Sequence, residues 1–340
     1  LLCFTLSGCH SSNTADISSK ASSSVSEHSY TQDLFAMDTT MTLTAYGDTA
    51  EEAVSSAIVE IQRLDDLFST NKETSCVSQL NTNHAAQFSS DAISVLQTAR
   101  TLYHDTDGAF NIALYPIVKA WGFTTEDYQI PSAETLQTLL HHIDADTIQL
   151  DAKSGAVTIS DPQTEIDLGG IVKGYTSDQV LNTMQSKGIS SAVISLGGNV
   201  QTLGTKPDGS LWRVGIQDPN DTEQVLCMVE VADKAVITSG PYQRYFIGED
   251  GVRYHHIMDP ETGRPAENGL SSVTIVSDSG ILADGLSTAL FVMGPEKALQ
   301  YWKQHAEEFD AVLITENQDI IVTKGLSDSF QSDQDYYLYD

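Results

Sequence analysis

The stretch from 192 to 231 decides the fold, because "AVISL" (192–196), "WRVGIQ" (212–217) and "VLCMVEV" (225–231) follow one another with no helical pattern between them. "SSVTIVS" (271–277) continues the series. Short apolar segments separated by turn residues are typical of strands. Strands joined directly by turns pair antiparallel, whereas a doubly wound fold places a helix between strands. The sequence therefore predicts an α+β fold with mixed, largely antiparallel sheets and packed helices.

Further elements are predicted on both sides of this stretch. "FAMDTTMTLTAYG" (35–47) alternates like a strand, and Thr49 with Glu52 forms a plausible capping box for a helix that runs to about Phe68. The remaining predicted elements are a helix at 90–103, a short helix from Ser132, a strand at "EIDL" (165–168), helices at 281–294 and 295–305, strands at 311–316 and 319–324, and a tail (327–340) that is either disordered or an edge strand.

"DLGGIVKGY" (167–175) follows the predicted strand "EIDL" and opens a helix. Glycines at such a junction let a ligand approach the backbone, and the free amides of a first helical turn favour phosphate. The stretch matches neither the dinucleotide fingerprint nor the phosphate loop, since neither spacing is met. Gly169 and Gly170 are therefore either part of a phosphate site or only a tight connection.

"ILADGLSTALFV" (281–292) places Asp284 and Thr288 four residues apart, on one face of a helix. One carboxylate and one hydroxyl suit a hard cation that keeps its other positions for phosphate and water, and they suit zinc poorly. The alternative is a capping aspartate and a threonine on an otherwise apolar helix.

"YHHIMDPETGRP" (254–265) places two histidines at the end of a strand, before a turn rich in Asp, Pro and Gly. His255 and His256 point to opposite faces of that strand, so at most one faces a given pocket. Either histidine is a catalyst or a structural residue with satisfied hydrogen bonds. "DGAFNIALYPIVKAWGF" (107–123) is rich in aromatic and small residues that can wall a planar ligand or fill the core.

The charge of the chain restricts its partners. The 340 residues include 17 Lys and Arg against 47 Asp and Glu, a formal net charge of −30. Such a body disfavours nucleic acid and anionic lipid, and an anionic ligand needs a local cation. We expect no nucleic-acid partner.

The first residues, "LLCFTLSGC" (1–9), look like the end of a signal peptide and resemble a bacterial lipobox. We expect a signal remnant at 1–8 and lipidation of Cys9. From 10 to 29, nine of twenty residues are serine, so 9–29 is predicted to be a tether. No apolar run is long enough to span a bilayer, so the body (30–340) is expected to be soluble, outside the cytoplasm and anchored to a bacterial membrane by lipid alone. The alternative is an ordinary signal peptide.

The other cysteines, Cys76 and Cys227, show no metal spacing and are expected to be buried thiols, although the sequence does not decide whether they pair.

Taken in order, seven motifs resemble the FAD:protein FMN transferase family, also called ApbE-like flavin transferases. The likeness covers about Leu34 to Val322. The motifs are "MDTTMTL" (37–43), "GAFNIALYPIVKAWGF" (108–123), "IDLGGIVKGY" (166–175), "ISLGGNV" (194–200), "ITSGPYQRYF" (237–246), "HIMDPETGRP" (256–265) and "ADGLSTALFVMG" (283–294).

This resemblance implies an ApbE-like fold and an enzyme that uses FAD and Mg²⁺, attaches FMN through its phosphate to a Thr or Ser hydroxyl of an acceptor redox protein, and releases AMP. By motif match, the metal ligands are Gly170 through its carbonyl, Asp284 and Thr288, with Ser287 a weaker candidate. The implied FAD contacts are Met41, Ala109, Phe110, Asn111, Asp167, Lys173 and Met258. His256 matches the functionally important histidine of the family.

The chain departs from the family pattern at three positions. Asp38 stands where the family commonly has glycine, Asn71 where an aromatic flavin contact is usual, and Pro241 where Asp or Glu is common. None of these positions is a proposed metal ligand. Two other functions fit the same residues: a Mg²⁺-dependent FAD pyrophosphatase that releases FMN and AMP, and a non-catalytic FAD-binding lipoprotein.

Overall fold

The computed structural model describes residues 28–340, so the predicted signal remnant, the predicted lipidation site Cys9 and nearly all of the predicted tether lie outside the described residues. The described chain contains seven α-helices. They are α1 (Ala50–Phe68), α2 (Cys76–Asn83), α3 (Ser90–Asp105), α4 (Tyr115–Ala120), α5 (Ala133–Leu139), α6 (Val172–Ser186) and α7 (Gly280–Gln304).

The same residues form seventeen strands. They are β1 (Ser29–Ala36), β2 (Thr39–Tyr46), β3 (Ala85–Gln87), β4 (Ile148–Asp151), β5 (Ala156–Ile159), β6 (Ser191–Leu196), β7 (Asn199–Leu203), β8 (Trp212–Gln217), β9 (Val225–Val231), β10 (Ala235–Ser239), β11 (Tyr245–Ile247), β12 (Arg253–His255), β13 (Leu270–Ser277), β14 (Phe309–Thr315), β15 (Ile320–Thr323), β16 (Phe330–Ser332) and β17 (Tyr336–Tyr339).

Nine strands build the central sheet, in the order β1-β2-β6-β7-β10-β13-β14-β15-β17. All neighbours pair antiparallel except β15 and β17, which pair parallel. Three smaller sheets contain the strands β16-β9-β8, β3-β5-β4 and β11-β12. The predicted α+β class with largely antiparallel sheets is confirmed, and the tail contributes an edge strand, β17.

The central sheet buries both faces, because alternate residues of its strands enter different core clusters. Ile237 and Ile275 pack on the side that carries α6 and α7. Val236, Val276 and Val312 pack on the opposite side, against β8, β9 and β16. The strand series that suggested the fold therefore supplies both the central sheet and the small sheet that covers it.

The predicted strand at 35–47 is wrong as a single element. Met37 and Asp38 have φ values of +49° and +58°, and they form the tight turn between β1 and β2. Two consecutive residues with positive φ are the signature of a two-residue hairpin turn that matches strand twist. This conformation gives a physical reason for the glycine that the family commonly has where this chain has Asp38.

Two local predictions are corrected by long-range hydrogen bonds. "EIDL" is not a strand, since the amide side chain of Asn81 pairs with both the N–H and the C=O of Ile166, at 2.7 and 2.8 Å. The predicted capping box is also absent, because Thr49 donates to the Lys187 carbonyl and Glu52 pairs with the Lys187 ammonium. Both groups tie α1 to the end of α6 instead of capping α1.

The two predicted helices after Gly280 are joined in α7, which has a break at Gly294. Gly294 has a φ of +77°, and Pro295 starts the second half. Cys76 and Cys227 are buried, as expected, and the fold shows that they do not pair with each other. Burial raises both thiol pKa values to about 12. Within residues 28–340, no helix combines the length and the apolar character that a membrane crossing requires.

Candidate functional site

The turn before α6 is held by the two charged residues that flank it in sequence. Asp167 Oδ1 accepts a hydrogen bond from the Gly169 N–H at 2.9 Å, and Lys173 Nζ donates to the Gly169 carbonyl at 3.2 Å. The negative Asp167 therefore holds the N–H of the exposed Gly169, and the positive Lys173 holds its carbonyl. The amides of Ile171 and Val172 both bond to the Leu168 carbonyl, so the turn itself uses much of the donor capacity that was expected to bind phosphate.

The close approach that excludes a side chain occurs at Gly174, not at the glycine pair. A Cβ on Gly174 would lie 2.2 Å from the Gly280 carbonyl oxygen and 2.6 Å from Asp284 Cβ. A Cβ on Gly170 would meet only ordinary contacts, 3.5 Å from Phe110 and 4.0 Å from Thr288 Oγ1. Helix α7 therefore crosses α6 at Gly174, and this crossing brings Gly170 beside Thr288.

Asp284 is 5% exposed and accepts two hydrogen bonds. Its Oδ2 accepts from the Gly174 N–H at 2.8 Å, and its Oδ1 accepts from Asn199 Nδ2 at 2.9 Å. The ion pairs of residues 28–340 do not include Asp284. A buried carboxylate with two neutral donors and no counter-charge favours a cation, since each oxygen retains a free lone pair.

Thr288 lies one turn after Asp284 and is half-buried. Its hydroxyl is 3.3 Å from Ser239 Oγ, which also lies 2.8 Å from Ser287 Oγ. Ser287 is fully buried and donates to the Asp284 carbonyl at 2.8 Å, which makes it a poorer metal ligand than Thr288. The predicted pairing of Asp284 and Thr288 on one helical face is confirmed.

The oxygen donors here are a carboxylate, a hydroxyl and the backbone of Gly170. Across the described part of the chain, no three or more His, Cys, Asp or Glu side chains are grouped to hold a metal. A set made only of hard oxygens with one carboxylate fits Mg²⁺, which keeps water and substrate phosphate among its ligands. The residues present therefore fit the expected cation.

His256 follows β12 directly and is half-buried. Its backbone N–H donates to the Arg244 carbonyl at 3.2 Å, and its Nδ1 lies 3.1 Å from the same oxygen. Because a carbonyl only accepts, Nδ1 carries the proton and Nε2 keeps a free lone pair in the neutral ring. Burial lowers the pKa of His256 to about 4, and the nearby charges of Arg244 and Lys173 act in the same direction.

His255 has a structural role. It is 5% exposed, and its Nε2 lies 3.1 Å from the Ala266 carbonyl, while its Nδ1 accepts from the Ile257 N–H at 3.3 Å. Its pKa is lowered to about 4, mainly by burial. Both ring nitrogens are used, so the expectation that at most one of the two histidines faces a pocket holds.

The charge of Arg244 acts on both His256 and Asp167, in the turn before α6. Arg244 is the cross-strand neighbour of His256, and its guanidinium donates to the Phe123 carbonyl. Burial raises the pKa of Asp167, whereas the Gly169 N–H and the charges of Lys173 and Arg244 oppose that rise. Lys173 and Arg244 therefore place two positive charges near Asp167 and His256 in an otherwise acidic protein.

The remaining predicted FAD contacts are dispersed. Phe110 is buried between Gly170 and Gly285. Asn111 uses its side chain internally, since Oδ1 accepts from the Ala113 N–H and Nδ2 donates to the Ile143 carbonyl.

The other three predicted FAD contacts are either buried in core clusters or line a separate cavity. Met41 is completely buried in the core cluster beneath β2, and Met258 is 3% exposed in the aromatic cluster beside β11 and β12. Their side chains present almost no surface to a ligand in this structure. Ala109 lines a cavity of about 490 Å³ whose walls contain no other predicted site residue, so this cavity is separate from the glycine turn.

Sequence reasoning assigned no role to Asn199, Ser239 or Arg244. Each lies in one of the quoted motifs, "ISLGGNV" or "ITSGPYQRYF", that carried the resemblance without a stated function. Membership of these motifs is therefore the feature of the sequence that could have identified the three residues. The contacts that give them a role are visible only in the fold.

Comparison with known proteins gives one consistent result. Residues 37–313 match the model of the ApbE family. An FAD:protein FMN transferase of Klebsiella pneumoniae (strain 342) is 34% identical over 278 residues, 80% of this chain and 85% of that protein. The FAD:protein FMN transferase of Escherichia coli (strain K12) is 33% identical over 79% of this chain and 78% of its own length.

Solved structures agree with the sequence comparison. The ApbE protein of Thermotoga maritima superimposes with a TM-score of 0.82 at 30% identity, covering 88% of this chain and 98% of that one. The flavin transferase ApbE from Vibrio cholerae gives a TM-score of 0.77 at 27% identity, with 89% and 96% covered.

Proposed function

Because the chain belongs to the ApbE family and is an FAD:protein FMN transferase, we propose that it moves FMN from FAD to a Thr or Ser hydroxyl of an acceptor redox protein, with Mg²⁺ bound. The other product is AMP. The observation that carries this proposal is His256, a neutral imidazole with Nε2 free, electrostatically coupled to the turn that contains Gly170.

In the proposed reaction, the acceptor hydroxyl oxygen attacks the phosphorus atom of the FMN half of FAD. The new bond is the phosphoester P–O bond, and the bond that breaks is the P–O bond to AMP, which leaves with the bonding electrons. His256 Nε2 takes the hydroxyl proton, since a base with a pKa of about 4 is unprotonated at neutral pH. Lys173 and Arg244 hold the diphosphate by charge, and the Arg244 carbonyl keeps the imidazole in the required tautomer.

Asp284, Thr288 and the Gly170 carbonyl are the proposed ligands of the magnesium ion. When bound, Mg²⁺ neutralises phosphate oxygens and stabilises charge on the departing AMP. Asp284 supplies the one full negative charge of the ligand set, and its burial keeps water from competing for it. Phe110 packs against Gly170 and keeps the turn in place beside Thr288.

The deciding experiment is intact mass spectrometry of a purified acceptor domain after incubation with the protein, FAD and Mg²⁺. We expect the mass of the acceptor to rise by one phosphoester-linked FMN, and chelation of the metal to prevent the change. An acceptor variant with its target Thr replaced by Val is the control and stays unmodified. Steady release of FMN and AMP without acceptor modification identifies a pyrophosphatase instead, and stoichiometric FAD retention without turnover identifies a binding protein.

We also propose that Cys9 carries lipid and that the enzyme works outside the cytoplasm, tethered to a bacterial membrane. The "LSGC" motif (6–9) and the serine-rich stretch that follows support this proposal. Fractionation of cells that express the full chain tests it. We expect the protein in the membrane fraction and the Cys9→Ser variant outside it, and equal distribution of the two contradicts lipidation.

A further inference from the structure

Asn199 is the first residue of β7 and is 4% exposed. Its Nδ2 donates to Asp284 Oδ1 at 2.9 Å, while the Gly174 N–H donates to Oδ2 at 2.8 Å. The two donors approach different oxygens from different elements, β7 and α6. Together they fix the rotation of the carboxylate about its Cβ–Cγ bond.

The turn before β7 explains why the amide is placed there. Gly197 and Gly198 have φ values of +63° and +93°, and they form the two-residue turn between β6 and β7. A Cβ on Gly197 would lie 2.5 Å from Thr39 Oγ1, so the turn packs directly on β2. The two-residue turn at Gly197 and Gly198 requires positive φ values and packs against β2. Together these two constraints fix the position at which Asn199 starts β7.

We propose that Asn199 is a positioning residue for the metal-binding carboxylate, holding Asp284 in the orientation that leaves its free lone pairs for a divalent cation next to Gly170 and Thr288. This inference rests on the proposed function only in taking Asp284 as the metal ligand. An uncharged donor suits the role, because it fixes the carboxylate without neutralising it. Removal of a group that orients a metal ligand commonly lowers the affinity of the site for the metal by about 10- to 100-fold.

A purely structural role is the competing explanation, and the next inward residue of the same strand provides the matched control. Gln201 is 6% exposed, and its Nε2 donates to Asp178 Oδ1 at 2.8 Å. Asp178 accepts in turn from the Gly280 and Ile281 amides and so caps α7. Asn199 and Gln201 are thus two buried amides on one side of β7, and only Asn199 contacts Asp284.

The test compares Asn199→Leu and Gln201→Leu in the purified full-length protein. Mn²⁺ is titrated with ADP present as an unreactive diphosphate, and free Mn²⁺ is followed by electron paramagnetic resonance. We expect both variants to lower Tm, and Asn199→Leu alone to weaken Mn²⁺ binding by about 10- to 100-fold. For Gln201→Leu we expect a change in the Mn²⁺ dissociation constant within about twofold, since its amide does not touch the metal-binding carboxylate.

Excess Mg²⁺ should also restore much of the lost activity of Asn199→Leu, because a weaker site fills at higher metal concentration. An Asn199→Leu variant that is less stable but binds Mn²⁺ as the unmodified protein does would overturn the proposal, as would equal weakening by both variants. If the leucine variant does not fold, Asn199→Ala removes the same donor with less crowding. Because Mn²⁺ binding is measured without acceptor, failure of this inference is distinguishable from failure of the transferase proposal.

Discussion

The two sides of the candidate site are built by different means. On the metal side, Asp284, Gly174 and Asn199 come from a helix, a second helix and a strand, and all three are buried. On the histidine side, His256 extends a hairpin whose strands are three residues long, and its neighbour Arg244 is exposed. The first side is held by backbone contact and buried amides, and the second by one carbonyl and an aromatic cluster.

This difference shows where the chain tolerates change. Phe246 of the hairpin stacks on Tyr128 and Tyr254, with ring centroids 4.9 and 5.4 Å apart, so broad surfaces hold the histidine side. Aromatic contacts tolerate small displacements better than a helix crossing without space for one methyl group. We therefore expect substitutions on the metal side to reduce both activity and stability, and substitutions at His256 to reduce activity alone.

The largest effect is expected for Asp284→Asn. The substitution keeps the size of the side chain but removes the only full charge of the ligand set, so Mg²⁺-dependent turnover should fall by about three orders of magnitude or more. Turnover is measured as FMN transfer at saturating FAD. The control is Asp278→Asn, a nearby carboxylate that is 81% exposed. Activity of Asp284→Asn within tenfold of the unmodified enzyme would show that the metal binds elsewhere.

For His256→Gln we expect transfer to slow by about 10²- to 10⁴-fold, the usual contribution of a positioned base. FAD affinity, measured by flavin fluorescence, should change much less, because the proton transfer and not the binding is lost. In the unmodified enzyme, activity should be level at neutral pH and decline as the pH falls through about 4, where the base is protonated. His141→Gln, at an exposed histidine, is the control. Equal losses in rate and affinity would make His256 a binding residue only.

Gly174→Ala tests the helix crossing directly. The added Cβ meets backbone atoms of Gly280 within 2.6 Å, so α6 and α7 must separate. We expect a loss of about 3 kcal/mol in unfolding free energy together with weaker metal binding. Gly169→Ala is the matched control, since its Cβ would meet only the side chain of Asp167, 3.2 Å away. Denaturant unfolding of both variants decides the matter, and equal stability of the two would contradict a tight crossing.

The sequence predicted what depends on local pattern. The strand series, the shared helical face of Asp284 and Thr288, and the different surroundings of His255 and His256 all follow from the periodicities of helices and strands. It did not predict the Asn81 contact that prevents a strand at Ile166, because that contact joins distant segments. The same holds for Asn199 and Arg244, whose partners are defined only once the sheet and the hairpin have formed.

Motif matching predicted positions better than orientations. It predicted Gly170, Asp284 and Thr288 as one ligand set, and the fold places Gly170 near the Thr288 hydroxyl, one helical turn after Asp284. It also selected Met41, whose side chain the fold buries completely. A motif shows which backbone segment borders a site, whereas the direction of a side chain depends on the packing of the neighbouring strands.

The smallest expected effect concerns acid stability and tests how firmly the hairpin packs around His255. His255 has a folded-state pKa of about 4 against an ordinary value of 6.5, because it is buried. Between these values the unfolded chain binds a proton that the folded chain does not. Its contribution to stability is therefore present above pH 6.5 and is lost as the pH falls towards 4.

The unfolding free energy of the unmodified protein should decline between pH 6.5 and 4.5. In His255→Gln this decline should be smaller by about 2 kcal/mol, as measured by urea denaturation at several pH values. His141→Gln, at an exposed histidine, serves as the reference and should leave the slope unchanged. A slope that is the same in His255→Gln and in the unmodified protein would mean that the His255 ring becomes protonated without disturbing the fold. In that case the hairpin would be more open to water on its inner face than the contact with Ala266 indicates.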